Sequence, residues 1–137
     1  MNAIGDTSSN KLREIDNGIW EIDVPILGIS SGMHLMARAF GGSISSSNDD
    51  EYCEVVASFD NSSTLFDGLP SCGRTWMSRD YYVDTTPDNF DTIANSDDIP
   101  TISIQDSSRK FYGVQFHPEI SNTENGSKIL RNFLYSI

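Results

Sequence analysis

The stretch ILGISSGMHLMARAFGG, residues 26–42, contains the turn on which the prediction of the fold depends. An apolar run ends in Gly28-Ile29-Ser30-Ser31-Gly32, and a helix-favouring segment follows at once. This layout is typical of a nucleophile elbow, in which a strand turns sharply into a helix and presents a reactive side chain at its tip. Because G-x-S-x-G also arises by chance in a chain rich in glycine and serine, the pattern makes Ser30 a candidate nucleophile and no more.

Hydrophobic periodicity places further elements on both sides of this turn. The predicted elements are a short helix over 11–22, strands over 24–29, 54–59, 74–78, 91–95, 101–105 and 111–116, a helix over 33–40 ended by Gly41-Gly42, and a C-terminal helix over 125–135 with Ile129, Leu130, Phe133 and Leu134 on one face. Such an order favours an α/β layer fold with antiparallel additions. The polar stretches 43–51 and 78–90 are predicted to be exposed loops.

Length and charge limit the classes of protein that the chain can represent. Its 137 residues are enough for one core, and we expect a polar N-terminal segment over 1–14 followed by a single domain over 15–137. The net charge is −11, and no Lys/Arg cluster is present that would hold phosphates. We therefore expect no nucleic-acid partner and no anionic membrane surface.

Cysteine content and hydropathy exclude other classes of protein. Cys53 and Cys72 are the only cysteines and form no CxxC pair, so neither a metal site nor a disulfide framework is expected. No apolar run approaches the roughly 20 residues that span a bilayer, and the N-terminus does not resemble a signal peptide. The expected location is the cytoplasm.

A nucleophile needs a base, and the base needs a group that orients it. The chain has two histidines, His34 and His117. His117 lies in Gln115-Phe116-His117-Pro118-Glu119, where residues i and i+2 of extended backbone point the same way, so Glu119 can reach the imidazole. Ser30, His117 and Glu119 are thus a feasible catalytic triad. His34 follows Ser30 by four residues and is expected to line the same pocket.

Two longer segments resemble a known family. VPILGISSGMHLMARAFGG, residues 24–42, is similar to the nucleophile segment of class I glutamine amidotransferases, and KFYGVQFHPEISNTENGSKILRNFL, residues 110–134, is similar to their terminal segment. Between them, EYCEV, LFDGLP and TWMS resemble the glutaminase domain of GMP synthases in particular. The resemblance implies an open three-layer sheet of the flavodoxin-like type, and a Cys-His-Glu triad that releases ammonia from glutamine through a thioester.

The chain departs from the family pattern at the chemistry. Ser30 occupies the position of the family's cysteine, and a serine hydroxyl is far less acidic than a thiol, whose pKa is about 8.5. His34 occupies the position of a glutamine that helps to bind substrate. The segment Ser78-Arg79-Asp80-Tyr81 aligns with a substrate-side segment of the family in which the last three residues differ. By resemblance, His34 and Ser78 to Tyr81 are substrate-binding residues for a small amide or acyl compound.

The family's first strands have no counterpart in this sequence. They carry a glycine loop that donates one oxyanion-hole N–H, of which Gly5 is the only candidate remnant, and the N–H of Ser31 is the second donor. Their absence predicts an uncovered sheet edge or face, and hence a homodimer, a partner subunit that covers it, or a rearranged sheet. No cofactor is expected.

Three functions remain open from the sequence. The first is a glutamine-amidotransferase-like module with lost or reduced glutaminase activity. The second is a serine hydrolase or acyl-transfer enzyme, in which Ser30 attacks, His117 is base and then acid, Glu119 orients His117, and the Ser31 N–H holds the oxyanion. The third is glutamine hydrolysis with serine as nucleophile.

Overall fold

The structure is a computed structural model, and it describes residues 16–47 and 51–137. Within these residues the chain forms eight strands and two α-helices. They are β1 (Ile26–Ile29), α1 (Ser31–Ala39), β2 (Ser43–Ser46), β3 (Tyr52–Phe59), β4 (Cys72–Ser78), β5 (Tyr81–Thr85), β6 (Asp91–Asn95), β7 (Ser103–Asp106), β8 (Phe111–Val114) and α2 (Gly126–Ser136). Short 3-10 helices cover Asn17–Glu21 and Thr64–Phe66.

Six of the strands form one mixed sheet in the order β1-β8-β7-β6-β3-β4. β1 runs parallel to β8, with Ile26 opposite Phe111 and Ile29 opposite Val114, and the other pairs are antiparallel. This register brings the C-terminal ends of β1 and β8 together, so that the elbow after β1 and the His117 segment after β8 leave the sheet at the same end. In the described part of the chain, the outer edge of β1 pairs with no strand.

The sheet carries a hydrophobic core on each face. Adjacent residues of β8 point to opposite faces, so Phe111 joins one core and Tyr112 the other. The first core is closed by α1, through Met33 and Met36. The second is closed by α2 and the 3-10 helix at Thr64–Phe66 and contains Leu65, Phe66, Phe116 and Ile129, all fully buried. The helices and the sheet thus form three layers.

The predicted loops over 43–51 and 78–90 are in part a two-stranded antiparallel ribbon, so that prediction was wrong. β2 pairs with β5, and Val83 is buried against α1 with the half-buried Ile44 beside it. The hydroxyls of Ser43 and Ser45 donate to Asp84, and these hydrogen bonds lower the pKa of its carboxyl. The sequence did not indicate β2 as a strand, because Ile44 is its only apolar residue and the other three are serines. Residues 48–50 lie outside the described residues.

The termini of other elements differ from the predicted ones. Over 11–22 the described part forms only the 3-10 helix Asn17–Glu21, and 11–15 lie outside the described residues. β1 begins after Pro25, which has no amide hydrogen to donate to a sheet. On α2, Ile129 is buried, but Leu134 is 66% exposed and does not share its face, contrary to the prediction. No helix in the described ranges combines the length and apolarity needed to cross a bilayer.

Candidate active site

Ser30 forms the sharp turn between β1 and α1. Its backbone has φ 57° and ψ −113°, a region that costs a non-glycine residue about 1–3 kcal/mol and that clusters at functional sites. The amide of Ser30 donates to the carbonyl of Val114 at 2.7 Å, which ties the turn to the end of β8. A Cβ on Gly28 would lie 2.7 Å from the backbone carbon of Gly32, so the strand and the helix approach this closely only because residue 28 is glycine. The geometry is that of a nucleophile elbow.

The first turn of α1 carries the amide of Ser31, the predicted oxyanion-hole donor. Within the described residues, the N–H of Ser31 donates to no acceptor. Free amides at a helix N-terminus stabilise anions, as an oxyanion hole requires. The other expected donor, Gly5, lies outside the described residues.

His117 and Glu119 form a hydrogen-bonded pair. His117 Nδ1 lies 2.8 Å from Glu119 Oε2, and the imidazole is 17% exposed. An ionised Glu119 accepts from Nδ1–H, which leaves Nε2 of the neutral ring as the acceptor. This is the tautomer that a general base of a triad needs. No hydrogen bond joins Ser30 Oγ to His117 in the part of the chain that the structure describes.

The segment that carries His117 is fastened along the outer edge of β4. The His117 amide donates to the Trp76 carbonyl at 2.9 Å, and the Trp76 amide donates to Thr123 Oγ1 at 3.0 Å. One step further, the Glu124 amide donates to the Arg74 carbonyl at 2.8 Å, and the Arg74 amide donates to Glu124 Oε1 at 3.1 Å. Side chains of Thr123 and Glu124 thus replace the carbonyls that a neighbouring strand would offer, and they fix the position of His117 relative to the sheet.

A close contact with α2 holds the same segment from behind. A Cβ on Gly126 would lie 2.0 Å from the carbonyl oxygen of Pro118, so only glycine fits at this position. Pro118 is buried there. The first residue of α2 therefore sets the distance between the helix and the His117–Glu119 pair.

His34 is the fourth residue of α1 and is buried. It is 3% exposed, and both ring nitrogens are buried without a partner of hydrogen-bonding geometry. Burial lowers its pKa from 6.5 to about 4, and the neighbouring Gln115 side chain and the charge of Asp80 oppose the shift. Gln115 Oε1 is likewise buried without a hydrogen-bond partner. The His34 ring and the Gln115 side chain are therefore neighbours that do not form a well-aligned hydrogen bond. His34 is a neutral ring near pH 7.

The predicted substrate-side residues form the turn between β4 and β5. Ser78 Oγ donates to Asp80 Oδ1 at 2.9 Å, and the Tyr81 amide donates to the same oxygen at 2.9 Å. Gln115 Nε2 donates to the carbonyls of Ser78 and Tyr81 at 3.2 and 2.9 Å, so it holds both ends of the turn. The Arg79 carbonyl accepts from Ser47 Oγ at 2.5 Å, which joins the turn to the end of β2.

The structure places the predicted site residues in separate groups: the elbow at Ser30, the His117–Glu119 pair, and the turn from Ser78 to Tyr81 with His34 beside it. Tyr81 lies beside His34, with 6.4 Å between the ring centroids, and Asp80 is close enough to raise the pKa of His34. The catalytic and binding roles of these residues stay predictions. Two neighbours were not predicted, although both lie in quoted motifs: Gln115 two residues before His117, and Tyr52, whose hydroxyl is 3.4 Å from His117 Nε2. In the described ranges, no three His, Cys, Asp or Glu side chains are grouped to hold a metal ion.

Comparison with known proteins supplies sequence relatives. The family model for class I glutamine amidotransferases matches residues 2–137. A glutamine-hydrolysing GMP synthase of Acetivibrio thermocellus is 43% identical over 122 residues, which are 89% of this chain and 24% of that protein. The corresponding protein of Ruminiclostridium cellulolyticum shows the same identity and coverage. The chain thus spans about a quarter of the length of these relatives.

Solved structures share the fold. A Thermoplasma acidophilum structure described as that of a GMP synthase subunit has a TM-score of 0.79 at 33% identity, over 85% of this chain and 58% of that one. A glutamine amidotransferase of Thermotoga maritima has a TM-score of 0.66 at 18% identity, over 86% of this chain and 48% of that one, a likeness of fold alone. These likenesses confirm the predicted α/β fold, and with the family match over residues 2–137 they show that the chain belongs to the class I glutamine amidotransferase family.

Proposed function

We propose that this chain is a glutaminase-type domain of the GMP synthase kind with Ser30 in place of the nucleophilic cysteine, and that it hydrolyses glutamine poorly or not at all. Its role is then that of a binding or regulatory module that keeps the family scaffold. One observation carries the proposal: the His117–Glu119 pair is formed, with 2.8 Å between Nδ1 and Oε2, while in the described residues Ser30 Oγ has no hydrogen bond to the base.

The chemistry of the nucleophile supports impairment. A thiol with a pKa near 8.5 supplies some thiolate at neutral pH with modest help, whereas a serine hydroxyl must pass its proton to a base aligned with it as it attacks. A site that fits cysteine places the base to suit the C–S bond, which is longer than the C–O bond of serine. Serine in such a site is therefore expected to attack slowly even where the histidine and the carboxylate are in order.

The substrate side supports the same conclusion. The position that resembles the family's substrate-binding glutamine holds His34, an aromatic ring that burial keeps uncharged near pH 7. The neighbouring turn carries Asp80 and the ring of Tyr81. A site built to hydrogen-bond one amide discriminates against substrate when those partners are exchanged.

The test is glutamate release from glutamine by three forms of the full chain. Native protein and Ser30→Ala should both be at background. Ser30→Cys should exceed them if the pocket still accepts glutamine, and if it stays inert, the exchanges at His34 and Tyr81 impair binding by themselves. Native activity well above that of Ser30→Ala, with all forms folded by circular dichroism, would contradict the proposal.

A serine hydrolase is the second candidate, and the backbone of Ser30 favours it. A φ of 57° at a serine is retained at a cost, and it presents Oγ at the tip of the elbow. In this reaction Oγ attacks an acyl carbon, its proton passes to His117 Nε2 and then to the leaving group, and water releases the acyl group by the reverse route. A fluorophosphonate probe should then label Ser30, and Ser30→Ala and His117→Ala should abolish labelling; a folded native sample that stays unlabelled excludes it.

The edge of the sheet supports a proposal about partners. The outer edge of β1 has no strand partner in the described residues, and exposed edges are templates for pairing with another chain. We propose that a second copy or a partner subunit covers this edge in the assembled protein.

A further inference from the structure

Tyr52 lies where strand β3 begins, directly beside the His117–Glu119 pair. It is opposite Ser78 in the β3–β4 register, so it stands next to the turn that the substrate-side residues form. Its ring is 5.6 Å from the His117 ring and 6.3 Å from the Trp76 ring, on which it is stacked with an interplanar angle of 25°. The backbone of Trp76 also forms hydrogen bonds with the segment that carries His117. The Tyr52 phenol and the His117 segment therefore both pack against the same residue of β4.

The hydroxyl of Tyr52 is directed at the one nitrogen of His117 that Glu119 leaves free. The distance from Tyr52 Oη to Nε2 is 3.4 Å. With Nδ1–H donated to Glu119, the neutral ring has a lone pair on Nε2, and a phenol O–H can donate to it. Burial raises the pKa of Tyr52, and the charges of Asp80 and Glu119 raise it further, so the phenol keeps its proton near neutral pH.

A hydroxyl nucleophile in a triad donates its proton to this same lone pair. The phenol and Ser30 therefore compete for one acceptor, and in the described residues the contact with Nε2 belongs to the phenol. We propose that Tyr52 is a positioning residue for His117: its hydroxyl holds Nε2 in the free protein, fixes the orientation of the imidazole, and must be displaced before the ring can serve Ser30. The consequence for Ser30 rests on the proposed function, whereas the contact itself does not.

The test uses the fact that the chain has only two histidines. Protein labelled with ¹⁵N-histidine gives two imidazoles, of which the buried His34 reports on the fold and His117 reports on the contact. Tyr52→Phe, which removes a single oxygen, should move the Nε2 resonance of His117 and leave His34 unchanged. Tyr135→Phe is the matched control, since Tyr135 is 81% exposed on α2, and it should move neither.

Chemical modification gives a second measurement. Diethylpyrocarbonate acylates neutral imidazole, so removal of the phenol should speed modification of His117 by about threefold to tenfold, the factor that one ordinary hydrogen bond represents. His34 should stay unmodified in every form. Unchanged Nε2 resonance and unchanged modification rate in folded Tyr52→Phe would overturn the proposal.

The native protein provides a check that does not depend on a variant's folding. Ring protons of Tyr52 and His117 should show a nuclear Overhauser effect, and its absence would also overturn the proposal. The tests of the Tyr52 contact and of the proposed function can fail independently of each other. Native glutaminase activity well above that of Ser30→Ala would contradict the impairment and leave the Tyr52 contact standing, whereas an unchanged Nε2 resonance would remove the contact and leave the impairment standing.

Discussion

Acid should destabilise this protein through His34, and the size of the effect follows from its burial. The folded-state pKa of His34 is about 4, whereas an unfolded chain holds histidine near 6.5. As the pH falls below about 6.5, His34 binds a proton in the unfolded state but stays neutral in the folded state, so the free energy of unfolding decreases. The loss grows to pH 4 and is complete below it.

The magnitude comes from the two pKa values. At pH 5 an unfolded histidine is almost wholly protonated and the folded one is about a tenth protonated, which lowers the folding equilibrium by a factor of about 30, or about 2 kcal/mol. Below pH 4 the loss approaches about 3 kcal/mol. These values are a large fraction of the stability of an ordinary domain.

The assay is urea unfolding at pH 7 and at pH 5, followed by tryptophan fluorescence, for the native chain and two variants. Carboxylates also titrate in acid, so the informative quantity is the difference between proteins. His34→Gln cannot protonate and should lose about 2 kcal/mol less than the native chain over this interval. Tyr135→Phe, at a residue that is 81% exposed, leaves His34 in place and should retain the native loss. Equal losses for His34→Gln and the native chain would refute the assignment of the acid sensitivity to His34.

The remaining predictions concern the packing of the site and the edge of the sheet. Gly126→Ala should lower the free energy of unfolding by about 1–3 kcal/mol, because its Cβ would overlap the Pro118 carbonyl. Gly32→Ala is the control: its Cβ meets nothing within 4 Å, so its effect on the free energy of unfolding should be neutral or stabilising. Urea midpoints in the reverse order would contradict this account. Thr123→Val should lower the free energy of unfolding by about 1 kcal/mol and shift the fluorescence emission of Trp76, because it leaves the Trp76 amide without its acceptor. Thr123→Ser should restore both the stability and the emission. A Val variant with native stability and emission would contradict the role given to this hydrogen bond. Sedimentation equilibrium should show association of the chain through β1, and a compact monomer at every concentration would count against pairing at that edge.

The elbow was predictable because all of its determinants are local. The turn at Ser30, the close approach at Gly28 and the helix that follows are contained in residues 26–42, and the i, i+2 relation of His117 to Glu119 is likewise a matter of adjacent residues. Local periodicity also located β3, β4 and β6 to within two residues at each end.

What could not be predicted depends on contacts between distant segments. Tyr52 approaches His117 only because β3 lies beside β4 and the His117 segment lies along β4, a relation across 65 positions. Gln115 holds a turn 34 to 37 residues away. The β2–β5 ribbon was missed for the same reason, since its serines become strand residues only when Val83 and Ile44 pack on α1.

The covering of the β4 edge has a consequence for how this site can change. Bare strand edges lead to intermolecular pairing and aggregation, and here the segment carrying His117 is what keeps that edge closed. Solubility and the placement of the imidazole therefore depend on the same four hydrogen bonds. A lineage that gave up catalysis would still be selected to keep the segment from residue 117 to Glu124 along β4, because that edge needs a cover, although only the backbone amide of His117 takes part in it.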